Sequence, residues 1–291
     1  MKTSASPVKT AQKGSHLIIN QAYLNVMEAL GFQDVDSVFN FSEGQTVKDI
    51  KARSVTRFEF EAAGGKRTFF LKRHHPEFRS MRDLFGRGFP KRTLSSGCTE
   101  FRNICAFRDR GIATVAPVAA GEKRHGFFRV RSFLITEDFS PFISLERLLR
   151  ERPEFFSGAH GAVRRKKLLK RVCLLAAEMH RSGFNHRDFN ATHILLSYSP
   201  GSDEPGIALF DLQRVDRNRL LKFRWMIKSL ARLNYTLPEE IFSEEDRVFM
   251  IRSYKGRQEL TLFDRFQWFW IQRKTARIKR HMQKKRAGMK R

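Results

Sequence analysis

Four charged side chains stand where their types and order could move a phosphoryl group. Lys72 closes the apolar run Thr-Phe-Phe-Leu-Lys, and Glu100 lies at the start of a helix-like stretch. Asp188 is third in His-Arg-Asp, and Asp211 follows Ile-Ala-Leu-Phe. Transfer from ATP to a hydroxyl needs an ammonium over the phosphates, a carboxylate for a metal ion and a carboxylate facing the hydroxyl. Lys72 fits the first, with Glu100 as the ion-pair partner that fixes it; Asp211 fits the second and Asp188 the third. A lone His-Arg-Asp is a weak signal. The order strand Lys, helix Glu, amphipathic helix, His-Arg-Asp, strand-borne Asp is a strong one.

Taken singly, each residue has a plainer role. Lys72 would be a solvated strand-end lysine, Glu100 a carboxylate favoured by a helix N-terminus, and the two aspartates turn or strand caps. His74, His75 and His186 read as structural, with His186 bracing the loop that carries Asp188. Cys98 and Cys105, seven apart, read as packing. No GxGxxG loop is present: "FSEGQTVKDIKAR" offers only Gly44, "GRGF" is out of place, and "GGK" lacks the spacing of a P-loop.

The elements that must hold these groups follow from periodicity. Residues 1 to about 18 read as a flexible tail, and "NQAYLNVMEAL" as a helix stopping at Gly31. "SVTRFEFE" and "RTFFLKR" form a hairpin whose Gly64-Gly65 pair supplies positive φ angles. Residues 74–97 read as a loop, "CTEFRNICAFRDRG" as a helix, and "FFRVRSFLITEDF" as a strand ending in Glu137-Asp138. The clearest helix runs over 164–181, with Leu168, Val172, Leu175, Ala176 and Met179 on one face. After it, "HILLSY" and "IALFDL" form a strand-turn-strand that can fold Asp188 and Asp211 back to one site. Helical patterns resume from Leu220 to Gly256. The last stretch begins amphipathic at "FQWFWIQ" and carries ten Lys/Arg and no acid between Arg273 and Arg291.

Composition sets the outer bounds. The chain has 291 residues, 41% hydrophobic, with 56 Lys+Arg against 30 Asp+Glu and a formal charge of +26. It can bury a sizeable core, and its partner should be polyanionic: nucleic acid, an anionic membrane or a phosphorylated substrate. The longest apolar run, Val172–Ala177, is six residues, against roughly 18 to 20 for a membrane span. The N-terminus lacks the apolar centre of a signal peptide. Three cysteines without CxxC spacing argue against a disulfide framework or zinc site and for a reducing cytoplasm.

The segments "RFEF…FFLKRH", "EFRNICAFRDRGI", "SFLITEDFSPFISLERLL", "EMHRSGFNHRDFNATHILL" and "LFDLQR" resemble the lipopolysaccharide core heptose kinase (Kdo/WaaP) family, a branch of the protein-kinase-like fold. The resemblance spans about 200 residues. It implies an α+β, bilobal protein-kinase-like fold: a small β-rich N-lobe with one major helix, and a larger, mainly helical C-lobe. The expected layout is a tail at 1–18, an N-lobe at 19–138, a C-lobe at 139–262 and a basic amphipathic extension at 263–291. The implied activity is ATP- and Mg²⁺-dependent phosphorylation of an inner-core heptose on a glycolipid, at the cytoplasmic face of the inner membrane. An anionic membrane surface is then the expected partner and nucleic acid is not.

By the same resemblance Lys72 and Glu100 are the phosphate-binding pair, Glu137-Asp138 the adenine hinge acting through backbone groups, Asp188 the catalytic base and Asp211 the metal ligand. His193 stands where ordinary protein kinases carry a metal-binding Asn and where this family carries His. Imidazole suits Mg²⁺ poorly, so phosphate binding, Mn²⁺ binding and orientation of Asp188 all stay open. "DLQR" places Gln213 where the family usually has His, and Asn190-Ala191 also depart from its pattern, which loosens the acceptor assignment more than the catalytic one. The rival readings are a kinase for Kdo, another small molecule or protein, and a non-enzymatic basic module binding membrane or RNA. The absence of an Ala-Pro-Glu signature counts against protein substrates, and the intact Lys72, Asp188 and Asp211 count against a decayed site.

Overall fold

The computed structural model describes residues 7–13, 16–62, 65–78, 95–124, 129–217 and 222–288. Two compact units divide the chain: one holds the described residues up to Phe139 together with Asp211–Gln213, the other Ser140–Phe210 and the described residues from Arg214 onward.

The first unit runs through β1 (Thr10–Lys13), β2 (Leu17–Asn20), α1 (Leu24–Ala29), α2 (Val35–Asn40), β3 (Gln45–Ile50), β4 (Arg53–Ala62), β5 (Gly65–Phe78), α3 (Ser96–Arg108), β6 (Pro117–Arg124) and β7 (Arg129–Glu137). Its strands form one antiparallel sheet in the order β1-β2-β6-β7-β5-β4-β3. The expected hairpin is β4–β5, paired from Arg53↔His74 to Ala62↔Gly65. Gly65 has φ +104°; Gly64 and most of the expected loop at 74–97 lie outside the described residues.

Residues 10–13 and 17–18, in β1 and β2, are a correction to the tail expected at 1–18. Leu17 and Ile19 are buried against the sheet, and Leu17–Ile19 pairs with Ala119–Gly121 of β6. Burying those two side chains gives the segment the apolar anchor that a solvated tail lacks. Alternation along β5 then aims the key lysine. Phe69 and Leu71 join Val26, Met27, Val35 and Val38 in the core on one face, so Lys72 points to the other. Arg73, back on the first face, donates to the carbonyls of Val38 and Phe41 and to Thr56.

The second unit contains β8 (Ile143–Ser144), α4 (Leu145–Glu151), α5 (Gly158–Arg181), β9 (Phe184–His186), β10 (Ile194–Tyr198), β11 (Pro205–Leu209), β12 (Val215–Arg217), α6 (Lys222–Thr236), α7 (Glu244–Lys255) and α8 (Leu262–Gly288). Its axis is α5, which starts six residues before the predicted Arg164 and buries Leu168, Leu169, Val172, Cys173, Ala176 and Met179. The strand-turn-strand forms as β10–β11, paired from Ile194↔Leu209 to Tyr198↔Pro205.

Residues 263–291, expected as a basic amphipathic extension, begin as an integral part of this unit. Asp264 and Thr261 cap α8 reciprocally, side chain to backbone in both directions. Ile271 and Thr275 are buried, and Thr275 bonds Asn234 and the Ala231 carbonyl of α6. Among the described residues no helix is long and apolar enough to cross a membrane.

Candidate active site

In the first unit Lys72, Glu100 and Asp211 meet. Lys72 Nζ lies 2.8 and 3.0 Å from the two Glu100 oxygens and 3.6 Å from Asp211 Oδ1. The Glu100 side chain is 3% exposed and that of Lys72 17%, so the pair is screened little by solvent. Burial pulls the Lys72 pKa down, but the charges of Glu100 and Asp211 outweigh it and leave it above the ordinary lysine value. The ammonium is thus held protonated on a rigid strand.

The approach of α3 that places Glu100 depends on a glycine. A Cβ on Gly97 would sit 2.4 Å from the Phe133 carbonyl oxygen of β7, a distance no side chain tolerates. The Gly97 amide instead donates to Ser132 Oγ at 3.2 Å.

Asp211 has φ +56°, and among the described residues it is the non-glycine in the left-handed region. Such a conformation costs an L-residue roughly 1–2 kcal/mol and persists where neighbours enforce it. Two side-chain bonds do so. Asn103 of α3 donates to the Leu212 carbonyl at 2.7 Å, and Gln213 donates to Ser96 Oγ at 2.7 Å. The helix that carries Glu100 therefore also straps down the segment that carries Asp211.

In the second unit Asp188 is gripped by two guanidiniums: Arg232 Nη1 lies 2.6 Å from Oδ1, and Arg214 Nη1 lies 3.2 Å from each oxygen. The loop around it is fixed by the β9–β12 pair, in which His186 opposes Val215 and Asn185 opposes Asp216. Asp216 receives Arg187 at 2.6 and 2.8 Å and Asn185 at 3.0 Å. Burial raises the Asp216 pKa, yet the Arg187 and Asn185 bonds more than reverse it and leave the carboxyl below its usual value. Beneath lies a buried chain: Ser229 donates to Asn185 at 3.0 Å and lies 3.3 Å from His180 Nε2, while His180 Nδ1 is 2.9 Å from the Tyr254 hydroxyl. Burial lowers the His180 pKa to about 4, the Asn185 bond opposing it.

His186 is fully buried, and its Nδ1 accepts the Asp188 amide at 3.4 Å, as the bracing role requires. The His193 ring centre lies 5.7 Å from that of His186 and 5.3 Å from that of Phe210. Glu137 places its side chain on Arg67 at 2.7 Å and Tyr23 at 2.6 Å. Burial raises its pKa, and the Arg67 and Tyr23 bonds outweigh that and lower it. Its amide donates to the Ala116 carbonyl, and that of Asp138 to the Thr68 carbonyl.

The lipopolysaccharide kinase (Kdo/WaaP) family model matches residues 38–254, well over half of the chain. The chain belongs to that family. Among its relatives, the lipopolysaccharide core heptose(I) kinase WaaP of Escherichia coli is 30% identical over 197 residues, covering 67% of this chain and 71% of the relative. WaaP of Pseudomonas aeruginosa is 25% identical over 249 residues, covering 81% and 87%. The solved structure of WaaP in complex with acyl carrier protein matches with a TM-score of 0.64 at 25% identity, over 90% of this chain and 98% of that one. Family members are phosphotransferases, and the α+β fold with its β-rich first unit and mainly helical second unit is the kinase-like one.

The structure brings in residues that sequence reasoning passed over. Arg232, Asn103, Ser96 and Asp216 all hold groups of the candidate site, and none carries a local signal. Arg232 is 44 positions from Asp188, and Asn103 is 109 from Leu212. Gln213, singled out as a departure, is the residue that reaches Ser96.

Proposed function

We propose that this chain is an ATP- and Mg²⁺-dependent kinase that phosphorylates a heptose of the lipopolysaccharide inner core, working from the cytoplasmic face of the inner membrane. The observation that carries the reading is the Lys72–Glu100–Asp211 constellation, a buried ion pair beside a carboxylate in a strained backbone. Lys72 contacts the ATP phosphates, Glu100 fixes it, and the hinge at Glu137-Asp138 meets adenine through backbone carbonyls, since both of its amides already bond the Ala116 and Thr68 carbonyls. Asp211 fits Mg²⁺ because its donors are the hard carboxylate oxygens that this ion selects. When bound, the ion neutralises charge on the phosphates.

Asp188 orients the acceptor hydroxyl and takes its proton. Arg232 and Arg214 set the direction of that carboxylate. His193, packed near the His186 ring that accepts the Asp188 amide, orients the loop that carries Asp188. The basic excess suits an anionic glycolipid held in an anionic membrane.

The test is ATP turnover on purified lipopolysaccharide that lacks core phosphate, with the product read by mass spectrometry for the wild type and Asp188→Ala. A phosphate-sized gain lost in the variant supports the reading. ATP binding without any gain on that acceptor removes the heptose assignment, and failure to bind ATP removes the kinase.

A further inference from the structure

We infer that one face of α8, extended by the start of α6, is a docking surface for an anionic lipid bilayer. The opposite face of α8 is spent on the core: Asp264, Gln267, Trp268, Ile271 and Thr275 are buried. On the outer face Phe263, Phe266, Phe269 and Trp270 are 58%, 50%, 52% and 41% exposed. These are large apolar groups on a surface where most such side chains are buried, and they touch one another. Phe263 stacks on Phe266 at 6.3 Å, Trp270 meets Phe266 and Phe269 edge-on at 6.1 and 6.0 Å, and exposed Phe223 of α6 stacks on Phe263 at 6.2 Å. A contiguous aromatic patch of this kind marks an interaction site.

What covers it follows from the rest of the same face. The row Phe263, Phe266, Trp270, Arg273, Arg277, Arg280, Lys284 steps by three and four residues throughout, the spacing of one line along a helix. Its second half is therefore cationic and exposed. Arg273 lies 5.8 Å over the Trp270 ring, at the junction of the two halves. Rings and cations are segregated end to end along one helix. A planar bilayer surface accommodates both halves at once, with rings at headgroup depth and cations on anionic lipid. A nucleic acid would instead favour rings interspersed along a basic track, so that successive bases stack beside their phosphates. The inference deepens the kinase reading by naming how the enzyme reaches a lipid-held acceptor.

The test uses the full chain and vesicles of phosphatidylcholine, with or without phosphatidylglycerol, in a flotation assay. The wild type should float with the anionic vesicles and much less with the neutral ones. Arg273→Gln/Arg277→Gln/Arg280→Gln/Lys284→Gln should weaken binding by about fivefold per cation removed, in the low-salt limit. Phe263→Ser/Phe266→Ser/Phe269→Ser/Trp270→Ser should lose binding on both compositions while turning over a soluble, deacylated core oligosaccharide at the wild-type rate. A second readout needs no apolar substitution. Of the three tryptophans, Trp225 and Trp268 are buried, so a blue shift on adding anionic vesicles should come from Trp270 and vanish in Trp270→Phe.

Wild-type protein that ignores anionic vesicles, or a folded aromatic variant that floats like the wild type, overturns the docking surface. So does an aromatic variant that instead loses RNA binding or self-association with vesicle binding unchanged. Vesicle binding by a protein that phosphorylates no core glycolipid would overturn the acceptor assignment and leave the docking surface standing.

Discussion

Replacing Glu100 by Gln removes one charge from a pair that is nearly out of solvent. Lys72 then keeps a single carboxylate neighbour, Asp211 at 3.6 Å, and turns toward the group needed for the metal ion. A charge-assisted hydrogen bond contributes about 1.5–3 kcal/mol, so kcat/KM should fall roughly 10- to 150-fold. Steady-state turnover on a folded variant reads this, and a change within twofold would remove Glu100 from the site.

His180 gives a pH prediction of its own. Its folded pKa of about 4 lies below the ordinary 6.5, so the unfolded chain takes up the proton first. The stabilisation is complete above pH 6.5 and is lost as pH falls toward 4, at a cost on the order of 3 kcal/mol. Urea midpoints should drop over that window, and the drop should flatten in His180→Gln.

The sequence makes Lys72, Glu100, Asp188 and Asp211 legible because their types are rare in that order. It hides Arg232 and Asn103, whose bonds join positions far apart in the chain. No periodicity encodes the left-handed backbone of Asp211, since it is imposed by Asn103 and Gln213 from outside.

At the level of elements, α3 is held by its closest contact. An alanine at Gly97 would drive its Cβ into the Phe133 carbonyl, and backbone cannot yield as a flexible side chain does. Gly97→Ala should destabilise the protein by about 1–3 kcal/mol. It should also lower activity through Glu100, one turn along the helix. Parallel urea melts and turnover separate the two effects, and an unchanged midpoint would show that α3 has room to shift.

The same elements explain which parts of the fold can be read in advance. Helix α5 and the β10–β11 hairpin declare themselves by periodic burial against one side. Strand β6 does not, because it lies between β2 and β7 and is buried from Pro117 through Gly121. Its Ala-Ala-Gly run leaves room for the Phe133 ring instead of advertising a strand. Strand β3 fails for the opposite reason, being exposed at every position, so it has no apolar alternation to detect.

For the whole molecule, charge outruns local pairing. Ion pairs such as Arg147–Glu151 and Arg164–Asp203 are numerous, and exposed pairs contribute about 0–1 kcal/mol each, which salt weakens. Yet if all 30 acidic side chains were paired one to one, 56 − 30 = 26 cations would still lack a carboxylate. Their mutual repulsion opposes the compact state. The screening length shortens from about 30 Å at 0.01 M salt to about 8 Å at 0.15 M. The long-range repulsion should therefore be damped more than the short contacts, in which N and O are about 3 Å apart. Net repulsion should win, so the first thermal transition should rise by several degrees between those two salt concentrations. Each kcal/mol corresponds to about 2–4 °C in a chain of roughly this size. A midpoint that falls with salt would mean that the local pairs dominate and that the cationic surface is already balanced within the fold.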